Sequence, residues 1–166
     1  MSVYEPIFKI LNTAGVRYVV VGGVATLLHG YARLTADVDL AVDLAPQEAL
    51  KMLRALVGNG FRPQVPVPAE MFADSTIREQ WLQEKHMRAF SLVDSTNPMR
   101  VVDVLLKPEV PFEELLARSQ NAVVGETSIR IVSLEDLISL KRSAGRPQDL
   151  ADIKELEAIR RQKGDR

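Results

Sequence analysis

Residues 18–44 read YVVVGGVATLLHGYARLTADVDLAVDL, and this stretch decides the predicted fold. Its β-branched run Val19–Val21 ends at Gly22 and Gly23, which is typical of a buried strand that stops at a turn. The residues that follow favour a short helix, because Ala and Leu lose little conformational freedom there. The stretch therefore predicts a strand, a glycine turn, a helix and then a second strand.

The second strand carries paired carboxylates. Apolar residues alternate with Asp37, Asp39 and Asp43, and this period of two predicts a strand with one apolar and one acidic face. Asp37 and Asp39 leave the same face side by side, where two unpaired carboxylates repel each other. A divalent cation relieves that repulsion, and hard oxygen ligands suit Mg²⁺ or Mn²⁺. Such a pair is also common on exposed strands. It indicates a functional site mainly because a glycine turn and a helix precede it at this spacing. Asp43 lies a step further along and is predicted to be an edge residue.

A third carboxylate lies in a later apolar segment. Residues 86–93 and 99–106 are predicted to be two strands joined by a hairpin turn. Asp103 lies between valines in the second of them, where an aspartate is costly to bury unless it is protonated, paired or bound to metal. If these strands join the sheet beside Asp37 and Asp39, Asp103 completes a three-carboxylate cluster. The alternative, that Asp103 pairs with a buried Arg or Lys, stays open.

Gly22, Gly23, Asp37, Asp39 and Asp103 together resemble the motif of the DNA polymerase beta-like nucleotidyltransferase superfamily. In that motif a strand leads into a Gly-Gly or Gly-Ser turn that opens a helix. An Asp-x-Asp pair lies on the next strand and a third carboxylate on a later one. The resemblance implies an α/β (α+β) nucleotidyltransferase fold, with a mixed sheet of about four to five strands flanked by helices.

The stretch from the glycine turn to the Asp pair is similar to small prokaryotic members, related to abortive-infection toxin nucleotidyltransferases. In these, a His-Gly turn and an Arg-x-Thr segment precede the Asp pair, and His29, Gly30, Arg33 and Thr35 hold those places. The resemblance implies that Arg33 and Thr35 bind the nucleotide. Alternatively, Arg33 neutralises nearby carboxylates, and His29 near a helix end is more often a structural hydrogen-bond group than a base. The second glycine of the turn departs from the pattern: the best-characterised members have Ser there, so a hydroxyl that could contact phosphate is missing.

The segment 132–156, VSLEDLISLKRSAGRPQDLADIKEL, also resembles the C-terminal region of these relatives. Lys141, Arg146, Asp149 and Asp152 hold the positions of its recurrent charged residues. Lys141 and Arg146 can face a triphosphate, since Arg offers a planar fork and Lys a point charge. They can equally be solvated charges, or be tethered by the two aspartates at the start of the last helix.

The resemblance implies a two-metal nucleotidyl transfer. Asp37 and Asp39 would hold one Mg²⁺ or Mn²⁺ that bridges the phosphates of an NTP, and all three carboxylates would bind a second. Asp103 would act as base for the acceptor hydroxyl, and backbone N–H groups of Gly22 and Gly23 would contact the triphosphate. The acceptor stays open among RNA, a protein and a small molecule. A cognate antitoxin or toxin is a further expected partner.

Two other classes of function stay open beside the enzyme. One alternative is that the chain keeps the fold as a nucleotide-binding or protein-interaction module without turnover. The other is a structural domain with no nucleotide affinity. The three aspartates favour the enzyme, and the missing serine hydroxyl favours the module. A glycine pair after a strand more often makes a turn than a phosphate cradle.

Composition sets the outer limits. The chain has 166 residues, 46% hydrophobic and 26% charged, which fits one domain with a real core. We expect a single nucleotidyltransferase-like domain over residues 1–166, with a helical C-terminal segment at 134–161. The net charge of −1 gives no global attraction to nucleic acid, and the absence of cysteine excludes disulfides and thiolate chemistry. No secretion signal or membrane span is expected, so the predicted location is the cytoplasm.

The remaining segments are predicted from periodicity and capping signals. They comprise helices at 3–14, 46–58, 71–85, 112–118, 134–142 and 148–161, a Pro-rich loop at 61–68 and a last edge strand at 129–132.

Overall fold

A computed structural model describes residues 3–164, and helices and strands alternate irregularly along them. In this part of the chain the α-helices are α1 (Glu5–Thr13), α2 (Gly22–Leu28), α3 (Pro46–Gly58), α4 (Ser75–Glu84), α5 (Phe112–Arg118), α6 (Leu134–Ala144) and α7 (Pro147–Gly164). The strands are β1 (Tyr18–Val21), β2 (Asp37–Val42), β3 (Phe61–Pro63), β4 (Ala89–Asp94), β5 (Asn97–Leu105), β6 (Gln120–Val124) and β7 (Thr127–Ile131). A short 3₁₀ helix, Ala69–Ala73, precedes α4.

The sheet is mixed, as predicted, but it has seven strands in the order β3-β4-β5-β2-β1-β7-β6 rather than four to five. The Pro-rich segment was expected to be a loop, yet Phe61 is 1% exposed and its burial draws residues 61–63 onto β4 as a short edge strand. The segment at 129–132 is not an edge strand, because β6 pairs with β7 on its outer side. Strand β6 was missed because most of its residues are exposed and give little apolar periodicity.

The pairing around β2 separates the two faces of the sheet. Strand β2 runs antiparallel to β1 and parallel to β5. Val38 and Leu40 of β2 and Val102 and Val104 of β5 are 0% exposed and belong to the hydrophobic core. The residues between them therefore point to the opposite face, and these are the aspartates of the predicted site.

The C-terminal helices close one side of that face. Helix α6 is capped at its N-terminus by Ser133, whose hydroxyl accepts a hydrogen bond from the N–H of Asp136 at 3.1 Å. It ends at Gly145, which has φ +65° and lets the chain turn sharply into α7. Helix α6 packs against both α7 and α2, which brings residues near 145–152 to the glycine turn. Within residues 3–164 no helix is both long enough and apolar enough to cross a membrane.

Candidate active site

The glycine turn is shaped by the carboxylate of Asp39. Gly22 has φ +64°, and a Cβ placed on it would lie 2.2 Å from Asp39 Oδ2. The backbone N–H of Gly23 donates a hydrogen bond to the same carboxylate. Any side chain at position 22 would therefore be strained in its backbone and would displace Asp39. The glycine turn and the Asp-x-Asp pair, which are separate in sequence, form one structural unit.

Asp39 lies directly opposite Asp103 across the parallel β2–β5 pair, and Asp37 lies opposite Val101. Burial, together with the charges of Asp103 and Asp37, raises the pKa of Asp39 to about 7, although the Gly23 hydrogen bond and the charge of Arg146 lower it. The condition for the three-carboxylate cluster, that the strand of Asp103 joins the sheet beside Asp37 and Asp39, is met, and the cluster itself stays a prediction. The three aspartates share one sheet face and repel one another.

Asp103 has a partner that the sequence did not indicate. Ser91 of β4 lies opposite it, and the Ser91 hydroxyl donates a hydrogen bond of 2.5 Å to Asp103 Oδ1. Burial raises the pKa of Asp103, Asp37 adds to this effect, and Ser91 and Arg146 oppose it. In the sequence, Ser91 could be placed opposite Asp103 only from the register of the β4–β5 hairpin. That register depends on which residues form the turn, and the sequence does not determine them uniquely.

The donor chemistry suits a magnesium ion, but the side chains are not gathered around one point. Among residues 3–164, no group of three or more His, Cys, Asp or Glu side chains is arranged to hold a metal ion. The carboxylates of Asp37, Asp39 and Asp103 are nevertheless hard oxygen donors on adjacent strands. Their mutual repulsion is the electrostatic condition that a cation relieves. The residues fit a metal in kind, and the predicted ligand set stays a prediction.

The Arg-x-Thr segment lies over Gly23. A Cβ placed on Gly23 would be 2.3 Å from Thr35 Oγ1, 2.7 Å from Thr35 Cβ and 3.3 Å from Arg33 Nη2. The Thr35 hydroxyl makes one long contact, 3.5 Å to the carbonyl of Asp37. The Tyr4 hydroxyl donates a hydrogen bond to the carbonyl of Thr35. Burial and the negative charge of Asp37 both raise the pKa of Tyr4. Tyr4 is a second residue near the site that sequence reasoning missed.

Lys141 is buried between two aspartates. Its Nζ lies 2.7 Å from Asp152 Oδ2 and 3.7 Å from Asp149 Oδ1, and its side chain is 5% exposed. Asp152 is fully buried, and its other oxygen accepts a hydrogen bond from Gln148 at 2.8 Å and lies 3.1 Å from Arg33 Nε. Of the alternatives for Lys141, the structure shows the tether: this lysine is not a solvated charge.

Arg146 occupies a different position. Its guanidinium donates to Asp149 through Nε at 2.8 Å and Nη2 at 3.4 Å, while its side chain stays 77% exposed. It is close enough to Asp39 and Asp103 to lower the pKa of both. An exposed, oriented cation therefore lies beside the carboxylate cluster.

His29 is structural. It is 4% exposed, and its Nε2 lies 2.7 Å from the carbonyl of Val132, which can only accept a hydrogen bond. Burial lowers the pKa of His29 and favours the neutral ring. The structural interpretation of His29 is confirmed: the residue ties the end of α2 to the segment before α6.

Comparison with known proteins adds a partial family match. A family model described as "Nucleotidyl transferase of unknown function (DUF2204)" matches residues 101–165, less than half of the chain. The matched part contains Asp103, Lys141 and Arg146, whereas the glycine turn and the Asp pair lie outside it. No curated protein matches the chain in sequence.

Several solved structures are similar over almost the whole chain. The lincosamide antibiotic adenylyltransferase LnuA, in its lincomycin-bound form, has a TM-score of 0.61 at 18% identity, covering 93% of this chain and 94% of that one. ANT(2″)-Ia in complex with adenylyl-2″-tobramycin has a TM-score of 0.58 at 13% identity, covering 97% and 94%. An antigenic nucleotidyltransferase-like protein from Paracoccidioides brasiliensis has a TM-score of 0.56 at 17% identity, covering 95% and 73%. Across nearly its entire length, the chain has the fold of the nucleotidyltransferases.

Proposed function

We propose that this protein is a metal-dependent nucleotidyltransferase that moves a nucleoside monophosphate from an NTP to a hydroxyl group. The observation that supports this most is the direct pairing of Asp39 with Asp103 on one sheet face, beside a glycine turn fitted to Asp39. The fold and the partial family match agree with this assignment. The abortive-infection subgroup and a toxin–antitoxin role remain predictions from the resemblance.

The carboxylates divide into two roles in this proposal. Asp37 and Asp39 would hold a Mg²⁺ or Mn²⁺ ion, which supplies positive charge against the NTP phosphates when bound. The acceptor oxygen attacks the α-phosphorus, the bond to pyrophosphate breaks, and the hydroxyl proton passes to the Asp103 carboxylate. A raised pKa suits this role, because a general base works best near the pH at which it operates.

Two cations near the C-terminal helices, Arg146 and Lys141, have different roles in this proposal. Arg146 has an exposed guanidinium near the carboxylates and would contact the triphosphate. Lys141 is enclosed by Asp149 and Asp152, so we assign it the role of holding those aspartates in place. Arg146 is in turn oriented by Asp149. Lys141 thus acts on the nucleotide through its neighbours.

The acceptor is the least defined part of the proposal. RNA, a protein hydroxyl and a small molecule are all compatible with a single activating carboxylate. Two of the similar structures are antibiotic-related: a lincosamide adenylyltransferase and an enzyme complex with adenylyl-2″-tobramycin. We therefore place small hydroxyl compounds first in the order of testing.

The test is a transfer assay with α-labelled NTPs, MgCl₂ and three acceptor pools: aminoglycosides and lincosamides, total RNA, and cell protein. Label on one pool with release of pyrophosphate supports the proposal. The variants Asp39→Asn and Asp103→Asn should both abolish transfer while keeping the circular dichroism spectrum of the wild type. Normal transfer by Asp39→Asn would remove the mechanism.

A nucleotide-binding module without turnover is the second candidate. It is favoured by the carboxylates of the described residues not being gathered into a metal cluster. ATP with MgCl₂ would then raise the melting temperature, since a ligand that binds only the native state stabilises it, but no labelled product would form. A plain structural domain would show neither effect.

A further inference from the structure

We propose that the Thr35 hydroxyl supplies, from the neighbouring loop, the phosphate-contacting hydroxyl that Gly23 lacks, so that residues 23 and 35 form an exchangeable pair. This inference rests on the proposed function and deepens it by identifying one contact to the NTP. The point at which a residue-23 side chain would begin is already filled by Thr35 Oγ1, 2.3 Å away. Gly23 is therefore glycine because residue 35 occupies its space.

The hydroxyl is positioned for a ligand. Its single hydrogen bond among the described residues is the long 3.5 Å contact to the carbonyl of Asp37. That carbonyl belongs to the first of the two aspartates proposed to hold the cation with the phosphates. A phosphate oxygen bound beside Asp37 can therefore accept a hydrogen bond from the Thr35 hydroxyl without competing against a strong internal bond.

A cation meets the hydroxyl at the same place. Arg33 Nη2 lies 3.3 Å from the position of a Cβ on Gly23. The other guanidinium nitrogens face elsewhere: Nη1 donates to the carbonyl of Leu34 at 2.8 Å, and the buried Nε lies 3.1 Å from Asp152 as an ion pair without a hydrogen bond. A guanidinium nitrogen and a hydroxyl therefore converge over Gly23, and both are donors that suit an anion.

The segment that carries both donors is fixed although it has no regular secondary structure. Residues 31–36 lie between α2 and β2. Tyr4 donates to the backbone carbonyl of Thr35, and Asp152 of α7 lies against Arg33. Contacts from the residue before α1 and from α7 thus hold the loop, so the hydroxyl is presented in one place before any ligand binds.

The experiment measures binding of ATP and of inorganic tripolyphosphate to the wild type and to variants, each with MnCl₂, by calorimetry. Thr35→Val keeps the shape and removes the hydroxyl, and it should weaken both ligands by about 10-fold or more. Thr35→Ser keeps the hydroxyl and should stay within about 3-fold of the wild type. Equal losses for both ligands would assign the contact to phosphate rather than to the nucleoside.

The exchange itself is tested with two double variants. A serine at position 23 needs the Thr35 side chain removed, because Thr35 Cβ would also lie 2.7 Å from the new Cβ. We expect Gly23→Ser/Thr35→Gly to bind tripolyphosphate about 10-fold more tightly than Gly23→Ala/Thr35→Gly, which differs from it by one oxygen. Equal binding by the two double variants, or wild-type affinity of Thr35→Val, overturns this inference and leaves the proposed function intact. Failure of the wild type to bind either ligand overturns both.

Discussion

Replacing Asp39 by Asn should make the metal-free protein more stable at alkaline pH. The Asp39 side chain is largely buried where β2 pairs with β5. This burial, together with the charges of Asp103 and Asp37, raises its pKa to about 7. The folded protein therefore has to hold an unfavourable charge whenever Asp39 is ionised. Asn has the same shape and no charge, and its amide oxygen can still accept the N–H of Gly23.

The pKa shift sets both the sign and the size of the effect. Below about pH 4, Asp39 is protonated in the folded and the unfolded chain and does not affect stability. Between about pH 4 and 7 only the folded chain keeps the proton, so stability falls as the pH rises. Above pH 7 the full penalty is present. At about 1.4 kcal/mol for each pH unit between the two pKa values, it amounts to at most about 4 kcal/mol.

The measurement is urea unfolding in EDTA at pH 8, 6 and 4, followed by the fluorescence of the single tryptophan, Trp81, which is 5% exposed. We expect Asp39→Asn to exceed the wild type by about 2 to 4 kcal/mol at pH 8 and to converge with it near pH 4. Asp43→Asn is the matched control on the same chain segment. Asp43 is paired with Arg17 at 2.5 Å and accepts the N–H of Ala45, so its loss should destabilise the protein at pH 8. A wild type that is as stable as Asp39→Asn at pH 8 would refute the reasoning about the carboxylate cluster.

Three further predictions concern the groups around the cluster. Lys141→Met should lower the free energy of unfolding by about 3 kcal/mol in urea titrations, because buried Asp152 and Asp149 then keep only the more exposed Arg33 and Arg146 as partners. A loss below about 1 kcal/mol would show that the tether is unimportant. Ser91→Ala should lower kcat about 10-fold with little change in the KM for NTP, because Asp103 loses its fixed orientation, and Ser91→Thr should recover most of the rate. Gly22→Ala should abolish the rise in melting temperature caused by ATP and MgCl₂, because its Cβ would displace the Asp39 carboxylate. Gly58→Ala is the control and should keep that rise, because its Cβ meets nothing within 4 Å. An unchanged rise in Gly22→Ala would contradict the close fit of the glycine turn to Asp39.

The parts of the site that the sequence predicts are those determined by local pattern. Val19–Val21 before two glycines, and aspartates alternating with apolar residues, define β1, the turn and β2 within one short stretch. In this stretch, burial on one face and chemistry on the other restrict the arrangement strongly. The place of Asp103 stayed open between a site carboxylate and a partner of a buried cation, and only the β2–β5 pairing sets it opposite Asp39.

The parts that were missed depend on contacts between distant segments. Ser91 reaches Asp103 only because the hairpin register places them opposite each other, and nothing about an isolated serine indicates this. Tyr4 reaches the Thr35 carbonyl across 31 positions of sequence. Strands β3 and β6 form by pairing with the two edges of the sheet. Short segments of this kind have too little apolar periodicity to predict such pairing.

Buried ion pairs couple the stability of the C-terminal helices to that of the loop before β2. Asp152 of α7 is fully buried, and it contacts Lys141 of α6 and Arg33 of the loop before β2. If Asp152 lost either cation, its buried charge would be compensated only in part, so the C-terminal helices and the loop over Gly23 stabilise each other. The family model covers only residues 101–165 and the glycine turn lies outside that match. Asp152 joins the two regions physically, and a substitution there should disturb the loop over the glycine turn as much as it disturbs the helix that carries it.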